Sequence, residues 1–261
     1  MVERDKYFFS VITVTNEINN ALTKTIMSVL SQTCTDFQFI IKIDGQDSSP
    51  VERICGESVN LKIISNTDTG IYDAMNQALE QVEGRFVFFL NAGDIFYDEN
   101  TLAHVYSSGA FDSDIIYSPY IYRGVSVTFP KLLSRPFFYR TALCHQSYFI
   151  KSSIIIALKF NAAYRILADH DMVLRYLNAG EAKFFRVSRP VSIVAPMGFS
   201  SRNRRLKAVE RRKLTHTHFR FFERTLYSLF RLATMRGLRV LLLKNDRVFR
   251  LYSRLKSEIY R

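Results

Sequence analysis

The stretch TDTGIYDAMNQALEQVEGRFVFFLNAGD, residues 67–94, decides the fold class. Ile71, Met75, Ala78, Leu79 and Val82 recur at helical spacing, so this helix carries one apolar face. Gly84 is expected to end it. The run RFVFFL (85–90) is apolar at nearly every position, as a strand covered on both faces must be. It stops at Asn91-Ala92-Gly93-Asp94. A turn alone would account for Asn, Gly and Asp there. The alternative is that the sheet delivers a carboxylate to a cation or phosphate at its C-terminal edge, where open α/β sheets bind ligands.

The preceding chain repeats the same rhythm. YFFSVITVT (7–15) reads as a buried strand, and Asn19 or Asn20 can cap the following helix, whose stripe is Leu22, Ile26, Val29 and Leu30. FQFIIKI (37–43) is a second strand, Pro50 opens a short helix, and LKIIS (61–65) is a third strand. Strands alternating with helices imply right-handed βαβ units, a mainly parallel central sheet and helices on both faces. After residue 110 the reading is a strand and hairpin (113–129), then a long loop returning through a strand (131–150). A helix at 168–179 closed by Gly180 comes next, followed by one or two strands (182–196), a Gly/Ser loop (197–203) and further helices.

Composition separates two parts. The 261 residues are 48% hydrophobic and 14% aromatic, enough for a sizeable core and against global disorder. The net charge of +12 is confined to the end of the chain: residues 202–261 hold 18 Lys and Arg against 4 Asp and Glu, whereas the first 201 residues are slightly acidic. We expect an α/β domain over 1–201 and a basic amphipathic helical segment over 202–261. Cys34, Cys55 and Cys144 form no CxxC pair or metal spacing, which fits a reduced cytosol. The N-terminal residues do not read as a signal peptide, and no stretch reads as a membrane-spanning helix.

Three polar clusters fall where strands stop: Asp44/Asp47, Asp68 to Asn76, and Asn91/Asp94. Turn chemistry explains each singly. Together, on one edge of a parallel sheet, they suit a nucleotide held through base and ribose hydroxyls, with its phosphates reached through a divalent ion. Neither a P-loop nor a GxGxxG fingerprint is present.

SVITVT…TIMSVLSQ, DGQDSS, GIYDAMNQAL, FVFFLNAGD, CHQSYFI, ADHDMVLR and GFSS occur in the order found in inverting glycosyltransferases of family 2. The chain from about residue 8 to 201 therefore resembles that family, with its GT-A fold. The similar enzymes build bacterial O-antigen, capsule or colanic-acid-like polysaccharides. The resemblance implies a nucleotide-sugar donor, by default a UDP-sugar. It further implies a polyprenyl-diphosphate-linked saccharide acceptor and a peripheral place on the inner face of the cell membrane. It assigns Thr15, Asp44, Asp68, Asp73, Asn76 and Asn91 to the donor pocket. Asp94 becomes the acid that reaches Mn2+ or Mg2+, although Asn and Gly stand where the family often has carboxylates. Asp169 takes the place of the catalytic base, and His145 and Gln146 lie on the acceptor side. The loop with Ser200 and Arg202 would close over the donor diphosphate.

Blander readings stand beside these. Asp169 is also a candidate N-cap, and burial of a base is expected to raise its pKa. His145 on an apolar strand is usually a core residue. Asp171 points away from the site. Within HFRFFERTLYSLFRLATMRGLRVLLLKNDRVFRLYSRLKSEIY (218–260), Phe219, Phe222, Leu226, Leu229 and Ala233 are expected on one face, with Arg220, Arg224 and Arg231 away from it. Such helices can pack on the domain, lie on an anionic membrane surface, or bind nucleic acid; the acidic first 201 residues and the lack of any nucleic-acid motif argue against the last. A binding protein on the same fold without turnover is the alternative to an enzyme.

Overall fold

The computed structural model describes residues 5–56, 60–180, 182–196 and 203–233. Its first half alternates as expected: β1 (Tyr7–Thr15), α1 (Asn20–Leu30), β2 (Phe37–Ile43), α2 (Ser49–Cys55), β3 (Leu61–Ile64), α3 (Ile71–Leu79) and β4 (Gly84–Phe89). Asn19 caps α1, its Oδ1 accepting the N–H groups of Ala21 and Leu22. The second half holds β5 (Ile95–Phe96), α4 (Thr101–Ser107), β6 (Ile115–Tyr117), β7 (Tyr120–Tyr122), β8 (Val125–Val127), α5 (Arg135–Arg140) and a 3-10 turn, His145–Ser147. It continues with β9 (Tyr148–Lys151), α6 (Ser152–Leu158), α7 (Ala168–Ala179), β10 (Phe184–Arg186), β11 (Ser192–Val194), α8 (Arg204–His218) and α9 (Phe221–Ala233).

Seven strands form one sheet in the order β10-β6-β9-β4-β1-β2-β3, and within it β9 alone runs antiparallel to its neighbours. A second sheet has the order β5-β11-β7-β8. Alternate residues of the central strands feed two cores. Ile12, Ile40, Val87 and Phe89 meet Met75 and Ala78 of α3, Ile155 of α6 and Met172 of α7 on one face. Val11, Phe39, Ile41, Phe86 and Phe88 meet Leu22, Ile26 and Val29 of α1 on the other. Because β9 is reversed, its beginning lies at the edge where β1, β2 and β4 end. That one reversal brings His145 and Gln146 to the site.

Several expectations need correction. Gly84 does not close α3; it starts β4, where a Cβ would stand 2.5 Å from the Phe9 carbonyl carbon, so close approach of two strands demands glycine. The segment read as one long loop contains α5, and SSIIIAL (152–158), rich in β-branched residues, is the helix α6. Tertiary packing overrides its strand propensity: Ile155 is buried in the core and Ile154 packs against it. Phe219 is not on the face of α9. It sits in the turn before it, buried against Tyr139, while Phe222, Leu226 and Leu229 are exposed.

The described part of the basic segment lies against the body. Leu214 and Phe219 are buried in the core shared with α3, α6 and α7. Arg135 of α5 donates to Glu223 of α9 and to the His218 carbonyl. The remaining tail residues, and the loop carrying Ser200 and Arg202, lie outside the described residues.

Candidate active site

A cavity of about 460 Å3 opens at the C-terminal edge of the sheet. Val14 and Thr15 end β1 and Asn16 follows it, Asp44 follows β2, and Asp68 to Ala74 surround the start of α3; Ala162, Tyr164 and Arg165 complete the lining. The carboxylates are held in place by short-range bonds. Asp44 Oδ1 accepts the Asp68 N–H at 3.0 Å, and Asp73 accepts both the N–H and the hydroxyl of Thr69. Thr15 is engaged with Glu17 in a local turn. Four of the residues assigned to the donor pocket thus meet in one cavity. Asn76 is not among its lining residues; its amide donates to the Phe160 carbonyl and accepts the Phe160 N–H, tying α3 to the loop after α6.

A second cluster adjoins the cavity. His145 Nδ1 lies 3.1 Å from Asp169 Oδ2, and Asn91 Nδ2 lies 2.9 Å from His145 Nε2. A carboxylate only accepts, so Nδ1–H donates to Asp169, while Nε2 meets the Asn91 amide on the other side of the ring. Asn91 Oδ1 is then buried without a partner. Asp169 Oδ1 accepts the His170 N–H at 2.8 Å and stands 3.4 Å from the Tyr72 hydroxyl. Tyr72 lines the cavity and stands 3.4 Å from Asp169, so its side chain lies between the two.

The electrostatics differ from expectation at Asp169. Burial pushes its carboxyl up, but the hydrogen bond and charge of His145 with the His170 N–H outweigh burial and hold it below the ordinary carboxylate value. Nor is Asp169 an N-cap: α7 begins at Ala168, and Asp169 sits in its first turn. Asp171 points the other way, as expected, and is bonded to Arg175 and to His218 of α8.

Residues 10–168 match the sequence profile described as Glycosyl transferase family 2, well over half of the chain. The chain belongs to glycosyl transferase family 2. A PGL/p-HBAD biosynthesis glycosyltransferase of Mycobacterium bovis is 31% identical over 180 residues, covering 64% of this chain and 68% of that protein. An uncharacterized glycosyltransferase of Methanocaldococcus jannaschii is 27% identical over 200 residues, 70% of this chain and 68% of that one. Among solved structures, S. aureus TarS 1-349 in complex with UDP-GlcNAc superposes with a TM-score of 0.61 at 20% identity, over 75% of this chain and 61% of TarS 1-349. The mannosyltransferase PcManGT from Pyrobaculum calidifontis, in complex with GDP-Man and Mn2+, gives 0.58 at 16% identity, over 79% and 62%. Both carry the GT-A fold, and this glycosyltransferase shares it; it spans about three fifths of each of those chains.

Asp94 of this glycosyltransferase, the acid assigned to a divalent cation, is engaged within the protein. Asp94 is 5% exposed, and both its oxygens are used: Oδ1 accepts the Ala195 N–H at 2.8 Å and Oδ2 accepts Gln146 Nε2 at 2.7 Å. Burial raises its pKa despite those bonds. Among the described residues no three His, Cys, Asp or Glu side chains cluster as metal ligands. Asp94 thereby ties the 3-10 turn to the chain after β11.

Two residues of the glycosyltransferase site escaped the sequence reading. Lys42 of β2 is wholly buried, and its ammonium donates to the carbonyls of Ile43 and Asn66 and to Asp68 Oδ2 at 2.7 Å. A charge inside the apolar run FQFIIKI was the available signal, since lysine is fully buried only when paired. Tyr72, in GIYDAMNQAL, had no signal distinguishing it from its apolar neighbours.

Proposed function

We propose that this glycosyltransferase moves a sugar from a nucleotide-sugar donor, a UDP-sugar by default, to a lipid-linked saccharide with inversion at the anomeric carbon. The acceptor we assign is a polyprenyl-diphosphate-linked saccharide of bacterial O-antigen or capsule assembly. The observation that carries the reading is the buried Asp169 carboxylate. It is oriented by His145 and lies one side chain, Tyr72, behind a cavity walled by Asp44, Asp68 and Asp73. UDP-GlcNAc on TarS and GDP-Man on PcManGT support a nucleotide sugar on this fold.

In the step we assign, the acceptor hydroxyl oxygen forms a bond to the anomeric carbon. The bond from that carbon to the donor phosphate oxygen breaks on the opposite side, and its electron pair leaves with the nucleoside diphosphate. The hydroxyl proton passes to Asp169. A carboxylate held below its ordinary pKa is deprotonated whenever substrate arrives; it accepts the proton only as the attacking oxygen turns acidic during bond formation. Asp44, Asp68 and Asp73 bind donor hydroxyls and base. Asp94 and Asn91 hold Gln146 and His145 in place.

The described helices support a membrane-surface role for the C-terminal segment. Phe221 is 77% exposed, and Phe222, Leu226 and Leu229 are each 60% exposed, close to Arg220 and Arg224. No described helix is long and apolar enough to cross a membrane. An apolar ridge flanked by arginines fits the interface of an anionic bilayer, on the inner face in a peripheral position.

The test is Asp169→Asn assayed by release of nucleoside diphosphate with a matched acceptor, after thermal-shift screening of nucleotide sugars has identified the donor. We expect loss of most transfer with donor binding nearly intact. Near-wild-type turnover refutes the base assignment, and donor binding without release in the wild type favours a binding protein on this fold.

A further inference from the structure

Glu210 is the one acid in α8, among the basic residues of RRLKAVERRKLTHTH (204–218). It is 5% exposed, and its carboxylate accepts three consecutive main-chain N–H groups: Arg165 at 2.7 Å, Ile166 at 3.0 Å and Leu167 at 3.0 Å. A carboxylate taking three amides in a row fixes the path of three peptide units, and each such charge-assisted bond is stronger than a neutral one. The chain so held runs directly into α7, whose second residue is Asp169. The same segment is gripped from the other side, because the Tyr72 hydroxyl donates to the Ile166 carbonyl at 2.7 Å. The residue-166 backbone is thus bonded at its N–H by α8 and at its C=O by α3. A second link from α8 runs through His218 Nε2 to Asp171 Oδ1 at 2.8 Å, one helical face away from Asp169. All of α8 lies beyond residues 10–168, the part of the chain that matches the family.

We infer that Glu210 is a positioning residue for Asp169: it sets the start of α7, and so the direction of the carboxylate, through the 165–167 backbone. The inference rests on the reading of Asp169 as the base. The C-terminal helices then belong to the machinery of transfer and are more than a tether.

The test is a double-mutant cycle on the full chain, combining Glu210→Gln with Asp169→Asn. Glutamine keeps one acceptor oxygen and turns an NH2 toward an N–H it cannot accept. In the otherwise wild-type chain we expect kcat to fall about ten- to a hundredfold, with a smaller change in donor KM, as misplacement of a reacting group does. In the Asp169→Asn chain the same substitution should change residual turnover less than about twofold, because the group it positions is already gone. Equal losses in both backgrounds overturn the inference, as does an unchanged kcat accompanied only by a lower Tm. If Glu210→Gln does not fold, Glu210→Asp, which keeps the charge but retracts it by one methylene, runs the same cycle and is read the same way. Near-wild-type turnover of Asp169→Asn alone removes the base reading and this inference with it. Additive losses on an impaired Asp169→Asn remove only the role of Glu210.

Discussion

His170 follows Asp169 but faces the opposite environment. It is 3% exposed, packs near the Phe138 ring, and neither ring nitrogen has a hydrogen-bond partner. Burial first, then the charge of Arg211, lowers its pKa from 6.5 to about 4; the pull of Asp169 and of the Phe138 backbone toward the charged ring is too weak to offset them. The sign follows directly. Below pH 6.5 the unfolded chain takes up a proton that the native state refuses until about pH 4, so stability is lost as pH falls through that window. At about 1.4 kcal/mol per pH unit, the loss between pH 7.5 and pH 5 is roughly 2 kcal/mol. Replacing His170 by Phe removes the titrating group and both unpartnered nitrogens. Urea unfolding of the wild type and of His170→Phe at pH 7.5, 6 and 5 isolates the effect, since every other titration is common to both chains. We expect the advantage of His170→Phe over the wild type to grow by roughly 2 kcal/mol from pH 7.5 to 5. Parallel profiles would show that the ring is protonated or solvated in the native protein, and the argument from burial would fall.

Other expectations follow from single contacts. Lys42→Met strips Asp68 of its buried partner and should cost about 3 kcal/mol in urea unfolding, as loss of one member of a buried pair does; a loss below about 1 kcal/mol would mean that Asp68 is well solvated by the cavity. Gly84→Ala drives a Cβ into the Phe9 backbone and should destabilise by about 1–3 kcal/mol; a neutral outcome would mean that β1 and β4 separate freely. Mn2+ or Mg2+ alone should leave Tm unchanged, whereas Asp94→Ala should lower it by releasing Gln146 and the Ala195 N–H; a metal-induced rise that Asp94→Ala abolishes would restore a cation site. Phosphatidylglycerol vesicles should bind the protein with partial release by salt, and Arg220→Gln with Arg224→Gln should weaken that binding; indifference to anionic vesicles ends the membrane reading.

The legible part of this molecule is the part whose contacts are local. From β1 to β4 each strand and helix carries its own apolar pattern, and the polar residues at the strand ends converge because parallel strands end on one edge. Legibility fails where a residue is chosen by a distant neighbour. Gly84 looks like a helix terminator, but the Phe9 backbone is what requires it. Asp169 looks like a cap, but Glu210, forty-odd residues on, accepts the amides ahead of α7. Asp94 looks like an open carboxylate at a strand end, but Gln146 and the Ala195 N–H are bonded to it. The isoleucines of α6 favour a strand in isolation and form a helix that packs Ile154, Ile155 and Leu158 into one core. The resemblance supplied Asp169, His145 and Gln146; periodicity alone would have left them in a strand and a helix with no shared purpose.

The reach of α8 back to the 165–167 backbone also orders events in time. Chains are made from the N-terminus, and domains tend to fold as they emerge. The strands that carry Thr15, Asp44 and Asn91 can pair while the ribosome is still adding residues. Three amides ahead of α7 must wait, unpaired, for a carboxylate translated more than forty positions later, and a buried amide without a partner does not stay in place. A nascent or prematurely ended chain lacking residue 210 would therefore hold the strand-end wall of the cavity but no fixed Asp169.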